Sequence, residues 1–96
     1  MQIWRELERV ADHYGLAVEQ VRDVLCDALC EGARVGWGVA EYQAVAPSGE
    51  LTLTQNGKVV DPALLPLRGI HATRAMLYER LAELVAMRDA DASQEM

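Results

Sequence analysis

Apolar residues open the chain at intervals of three and four: Ile3, Trp4, Leu7, Val10, Ala11 and Tyr14, with Arg5, Glu6, Glu8, Arg9 and Asp12 between them. That spacing predicts an amphipathic helix, and Gly15, which tolerates the left-handed conformation, is its expected stop. A second helical pattern follows after about three residues, with Val18, Val21, Val24, Leu25, Ala28 and Leu29 inward and Glu19, Arg22, Asp23, Asp27 and Glu31 outward. Gly32 is the expected end of this helix.

From Trp37 the period changes to two. Val39 to Ala46 reads as a strand with Ala40, Tyr42, Ala44 and Ala46 on one face, small enough to let a helix approach closely. Pro47, Ser48 and Gly49 form a turn, and the next strand carries Leu51 and Leu53 inward and Thr52 and Thr54 outward. Asn56-Gly57 then marks a two-residue hairpin, because a type I′ turn needs positive φ at both central positions. Such a turn pairs Leu53 with Val60 and Thr54 with Val59, and puts Leu51, Leu53 and Val60 on one buried face.

Asp61-Pro62 starts a short helical turn, Asp as the cap and Pro at the first position, and Pro66 stops it. Beyond it, Ile70, Thr73, Leu77, Leu81, Leu84 and Val85 keep a core stripe, while Arg74, Glu79, Arg80, Glu83 and Arg88 face water. The expected architecture is α+β: two N-terminal helices, a three-stranded antiparallel meander and one long C-terminal helix. Residues 1–89 form a single domain, and residues 90–96 a flexible acidic tail.

Composition narrows the function. The 96 residues suffice for one modest core, and with five aromatics and no Phe that core is built from Leu, Val, Ala and Met. The net charge of -6 repels nucleic acid as a whole, so any such contact is local. MQIWRELERV lacks the basic and apolar regions of a signal peptide, and no stretch nears the ~20 apolar residues of a membrane span. A cytoplasmic protein without membrane contact is expected.

Cys26 and Cys30 lie four apart on one helical face, where a bridge would constrain little, so they read as reduced thiols. With His13 they lack the second close-spaced pair of a structural zinc site, and Cys26 with His71 lacks a motif that orients a nucleophile. No catalytic group, cofactor, metal or small-molecule substrate is expected. Ala11, Gly15 and Val21 match helix-turn-helix positions, but Glu19, Gln20, Asp23 and Asp27 on the would-be recognition helix oppose phosphates.

Read whole, the chain resembles the N-terminal domain of NusA, a bacterial transcription elongation and termination factor. The likeness runs through LERVADHYGLAVEQVRDVLCDALCEGAR and PSGEL, and is clearest in NGKVVDPALLPLRGIHATRAMLYERLAEL. Arg74, Met76, Leu77, Arg80 and Leu81 stand at matching places of the family's last helix. The resemblance implies a non-enzymatic module that binds RNA polymerase at the β-subunit flap tip beside the RNA exit channel, and that modulates pausing, termination or antitermination. It also implies weak contact with nascent RNA through Arg68 and Arg74, and partner binding through Met76, Arg80, Trp4 and Trp37. The resemblance does not extend to the family's RNA-binding modules or to its Lys-rich run after the second helix, so a stand-alone module encoded by a phage or mobile element is expected. The rival readings are a small acidic phage-type inhibitor or adaptor of another host complex, and a helix-turn-helix DNA-binding regulator.

Overall fold

A computed structural model describes residues 1–94 of the chain. It is an α+β domain in the order α1 (Trp4–Tyr14), α2 (Val18–Trp37), β1 (Tyr42–Val45), β2 (Thr52–Gln55), β3 (Lys58–Val60) and α3 (Leu67–Gln94). Short 3₁₀ turns occupy Pro47–Gly49 and Pro62–Leu64. The three strands form one antiparallel sheet in sequence order. Helix α2 is central, packed by α3 and by β1.

Gly15 ends α1 in the left-handed conformation, its N–H directed to Ala11 and Asp12 carbonyls. Gln20 Oε1 accepts the Ala17 N–H at 3.0 Å and helps to start α2 three residues later. The expected stop at Gly32 does not occur. Helix α2 continues through Trp37, with Gly32 and Gly36 buried inside it. Their role is close approach. A Cβ at Gly32 would run into Thr73 Oγ1 and come within 2.6 Å of the Gly69 carbonyl oxygen; a Cβ at Gly69 would lie 2.7 Å from the Gly32 oxygen. The Thr73 hydroxyl occupies this notch and donates to Gly69 O at 2.8 Å, satisfying a buried polar group within its own helix.

Because α2 takes residues up to Trp37, the first strand starts at Tyr42 rather than Val39. Its inward face is as expected: Tyr42 and Ala46 are buried, and Ala44 is half-buried. The hairpin register is also the expected one, with Leu53 opposite Val60 and Thr54 opposite Val59. Asn56 and Gly57 have φ of 51° and 84°, the positive values that a type I′ turn requires. Asn56 further exchanges hydrogen bonds with Glu41, its Oδ1 accepting the Glu41 N–H at 3.0 Å and its own N–H donating to Glu41 O at 2.7 Å. The turn residue thereby extends the pairing of β1 with β2.

Leu7, Val21, Leu53 and Leu81, one side chain from each of three helices and the middle strand, meet at the centre of the core with almost no exposure. Each fully buried Leu or Val contributes about 2 kcal/mol through removal from water. On α3, Thr73 and Leu81 are buried and Leu77, Leu84 and Val85 half-buried, but Ile70 is exposed. Leu65, just before the helix, fills the corresponding place and packs against Gly36 and Gly69. Helix α3 also continues through Gln94 instead of ending near Arg88, which carries it past the boundary expected at residue 89. At 28 residues it is about 42 Å long, and it sets the molecule's longest dimension of 49 Å.

The glycine contact gives a direct stability test. Gly32→Ala gains about 1 kcal/mol of helix propensity but forces two backbones apart, so a net loss of about 2 kcal/mol is expected in urea denaturation. Gly36→Ala meets Leu65 Cδ1 at 3.0 Å and Pro66 Cδ at 3.1 Å, with backbone only at the ordinary contact distance of 3.4 Å from Gly69 Cα, and is expected to cost less. Equal stability of Gly32→Ala and the parent would show that α2 and α3 can separate freely.

Candidate functional site

Charge along α3 is uneven. From Leu67 to Tyr78 the basic residues are Arg68, His71 and Arg74, and the first carboxylate is Glu79. This is a local positive region in a chain of net charge -6, and it lies at the end of the helix where the backbone dipole is also positive. Leu67, Ile70, Arg74 and Tyr78 follow one another at spacings of three, four and four, so they share a face. Leu67 is 67% exposed and Tyr78 49%. Tyr78 reaches the flank of α1, where it lines a small cavity with Arg9, Val10, His13 and Tyr14.

The two arginines expected to meet RNA differ in their surroundings. Arg74 is exposed and makes no salt bridge among the described residues. Arg68 is held by the fold. Its Nε donates to Val35 O at 3.1 Å and its Nη2 to Gly36 O at 2.9 Å, so the guanidinium caps carbonyls at the C-terminal end of α2. Arg88, expected simply to face water, does the same for α1: its Nη1 donates to Tyr14 O at 2.9 Å and Gly15 O at 2.7 Å. Both arginines place a positive charge where a helix dipole is negative. Neither contact has a local sequence signal, because each links residues more than thirty positions apart.

The other candidates fall in separate places. Arg80 is exposed and Met76 half-buried on α3. Trp4 and Trp37 are half-buried against the core, Trp4 also beneath Gly49, whose Cβ position would lie 2.7 Å from Trp4 Cβ. Both tryptophans therefore serve the edge of the core. A further feature was present in the spacing but is recognised only with the sheet in place: Glu19, Asp23, Asp27 and Glu31 form a ladder along α2, beside an open groove against β1.

Cys26 and Cys30 are both half-buried and reduced. Burial pushes the Cys26 thiol up from its ordinary value of 9.0, reinforced by Cys30, Asp23 and Asp27 against the opposing pull of Arg22. Burial likewise raises Cys30, with Asp27 adding to it and a backbone hydrogen bond with Ala44 opposing it. Both thiols are held in the protonated form, which is poor at nucleophilic attack. Among the described residues, no three His, Cys, Asp or Glu side chains gather as a metal ion would need. No described helix is long and apolar enough to cross a membrane. No protein-family model matches this chain, and comparison with curated proteins and with solved structures yields no match.

Three measurements follow from this geometry. Arg68→Ala and Arg88→Ala are each expected to lower stability by about 1 kcal/mol, the scale of charged hydrogen bonds at a partly solvated site. A stability equal to the parent's for both would remove the arginines from the capping role. The thiols carry a pH dependence of definite sign: their folded pKa is raised, so their contribution is fully present below pH 9.0 and is lost as pH rises through the folded values. Denaturation between pH 8 and 11 should show a decline that is shallower in Cys26→Ala/Cys30→Ala, and iodoacetamide should label the native protein more slowly than the unfolded one.

Proposed function

We propose that this chain is a non-enzymatic docking module that binds RNA polymerase near the β flap tip and the RNA exit channel, and modulates pausing, termination or antitermination. The observation that carries the reading is the set of exposed first turns of α3, where Leu67, Ile70 and Tyr78 flank Arg74. An apolar face with a single free arginine suits contact with a protein surface and a nearby phosphate better than it suits chemistry. The order of two helices, a meander with an Asn-Gly hairpin and a long last helix supports the resemblance to the NusA N-terminal domain.

The fold also changes how the two arginines are used in this reading. Arg74 is the residue available to emerging RNA, whereas Arg68 is committed to the carbonyls of α2. The DNA-binding alternative has less support, since the carboxylates of Glu19, Asp23 and Asp27 are all exposed on α2 and would oppose a phosphate backbone.

The deciding measurement is a pull-down with RNA polymerase, with and without the flap tip. Capture that depends on the flap is expected, and its absence would sink the reading. Within a binding protein, Arg74→Glu is expected to leave polymerase affinity within about twofold while reducing any effect on hairpin-stabilised pausing. Loss of polymerase affinity would move Arg74 from the RNA to the protein interface. Arg68→Glu is unsuitable for this purpose because it breaks a helix cap.

A further inference from the structure

Glu19, Asp23, Asp27 and Glu31 recur every four residues on α2, a ladder of about 18 Å at 1.5 Å per residue. Like charges at this spacing repel and weaken a helix. Asp23 and Glu31 are offset by Arg22 and Arg34, but Glu19 and Asp27 have no ion pair among the described residues. Alongside the ladder runs an open groove of about 620 Å³, lined by Arg22, Asp23, Cys26 and Asp27 from α2 and by Ala44, Val45, Ala46 and Pro47 from the sheet side; Arg22 pairs with Asp23 there, which leaves Asp27 as the groove's carboxylate without an ion pair among the described residues. Its floor is small and mostly apolar, and Val45 is 56% exposed beside it.

We propose that this groove docks a basic amphipathic helix of a partner protein, its Lys or Arg residues set against the carboxylate ladder and its aliphatic side chains against Cys26, Ala44 and Val45. Charge complementarity selects the partner. The whole chain is acidic, so a cationic segment is steered toward it and an anionic nucleic acid or lipid surface is turned away. The strand edge selects a helix over an added strand. The Ala46 carbonyl accepts the Gly49 N–H at 3.1 Å, and Pro47 after it has no N–H to offer. With those groups engaged, recognition falls to side chains, and a four-residue ladder of acids is matched by cations one helical turn apart.

The inference goes beyond the polymerase reading, and its test uses no polymerase, so either can fail alone. Fluorescence anisotropy would follow a labelled peptide of about fourteen residues, Lys along one side and Leu along the other, and its counterpart with Glu for Lys. The basic peptide is expected to bind and the acidic one not. Asp23→Lys/Asp27→Lys, and separately the uncharged Val45→Gln, should weaken binding about tenfold or more. Glu79→Lys/Glu83→Lys makes the same change of net charge on α3 and should alter affinity less than about twofold. Asp23→Lys/Asp27→Lys should also melt close to the parent, because the lost Arg22–Asp23 pair and the new Lys–Lys repulsion are offset by attraction of the two lysines to Glu19 and Glu31 one turn away, so weakened binding is not misfolding. Equal losses in the two lysine variants, or unchanged binding in Val45→Gln, would overturn the groove as the site.

Discussion

Everything in this domain depends on how closely the backbones of α2 and α3 approach at Gly32 and Gly69. A core with few aromatics and no Phe lacks the bulky side chains that fill space between distant elements. Close packing must therefore come from elements that nearly touch. Gly32, Gly36 and Gly69 allow this on one side of α2, and Ala44 and Ala46 allow it on the sheet side. The Thr73 hydroxyl fits the same notch only because it has a carbonyl of its own helix to bond. Larger residues at these points would open gaps elsewhere that Leu, Val and Ala could not fill.

The close approach also explains the use of arginine. Once α3 lies against α2, Arg68 reaches the carbonyls of Val35 and Gly36 at its end, and Arg88 reaches Tyr14 and Gly15 at the end of α1. Helix ends leave carbonyls without partners, and a cation there satisfies both the hydrogen bond and the dipole. Two arginines are thus occupied by architecture. Exposed positive charge on α3 without such partners narrows to Arg74 and Arg80, which is why the candidate site is smaller than a count of basic residues suggests.

What could be read from the chain was local. The Asn56-Gly57 pair dictated a turn type, the turn type dictated a register, and Leu53 does face Val60. Asp61 caps its 3₁₀ turn for an equally local reason, its Oδ1 accepting the Ala63 N–H at 2.9 Å. Gly32 was misread because a glycine at the end of a helical pattern looks the same whether it stops the helix or admits a neighbour. The distinction lies in Gly69 and Thr73, thirty-seven and forty-one positions away. Ile70 was misplaced for a related reason: periodicity marks a face, but Leu65 had already taken the buried position at that end. Arg68 was assigned a role by resemblance, and its bonds to α2 are non-local. The acidic ladder lay open in the spacing; its meaning required knowing that β1 runs beside it.

The two candidate surfaces are segregated by the helix that separates them. Gly32 faces α3, and at about 100° per residue Asp27 and Asp23 stand roughly 140° and 180° around α2 from it. The acidic groove therefore lies on the side of α2 turned away from the basic first turns of α3. A small protein with opposite charge on opposite sides is oriented as it nears a charged partner, before any contact forms. The cost is borne by α2, which carries like charges at every turn. Its stability then rests on packing against α3 and the sheet more than on its own side-chain pairs, and this returns the argument to the glycine contact that holds those layers together.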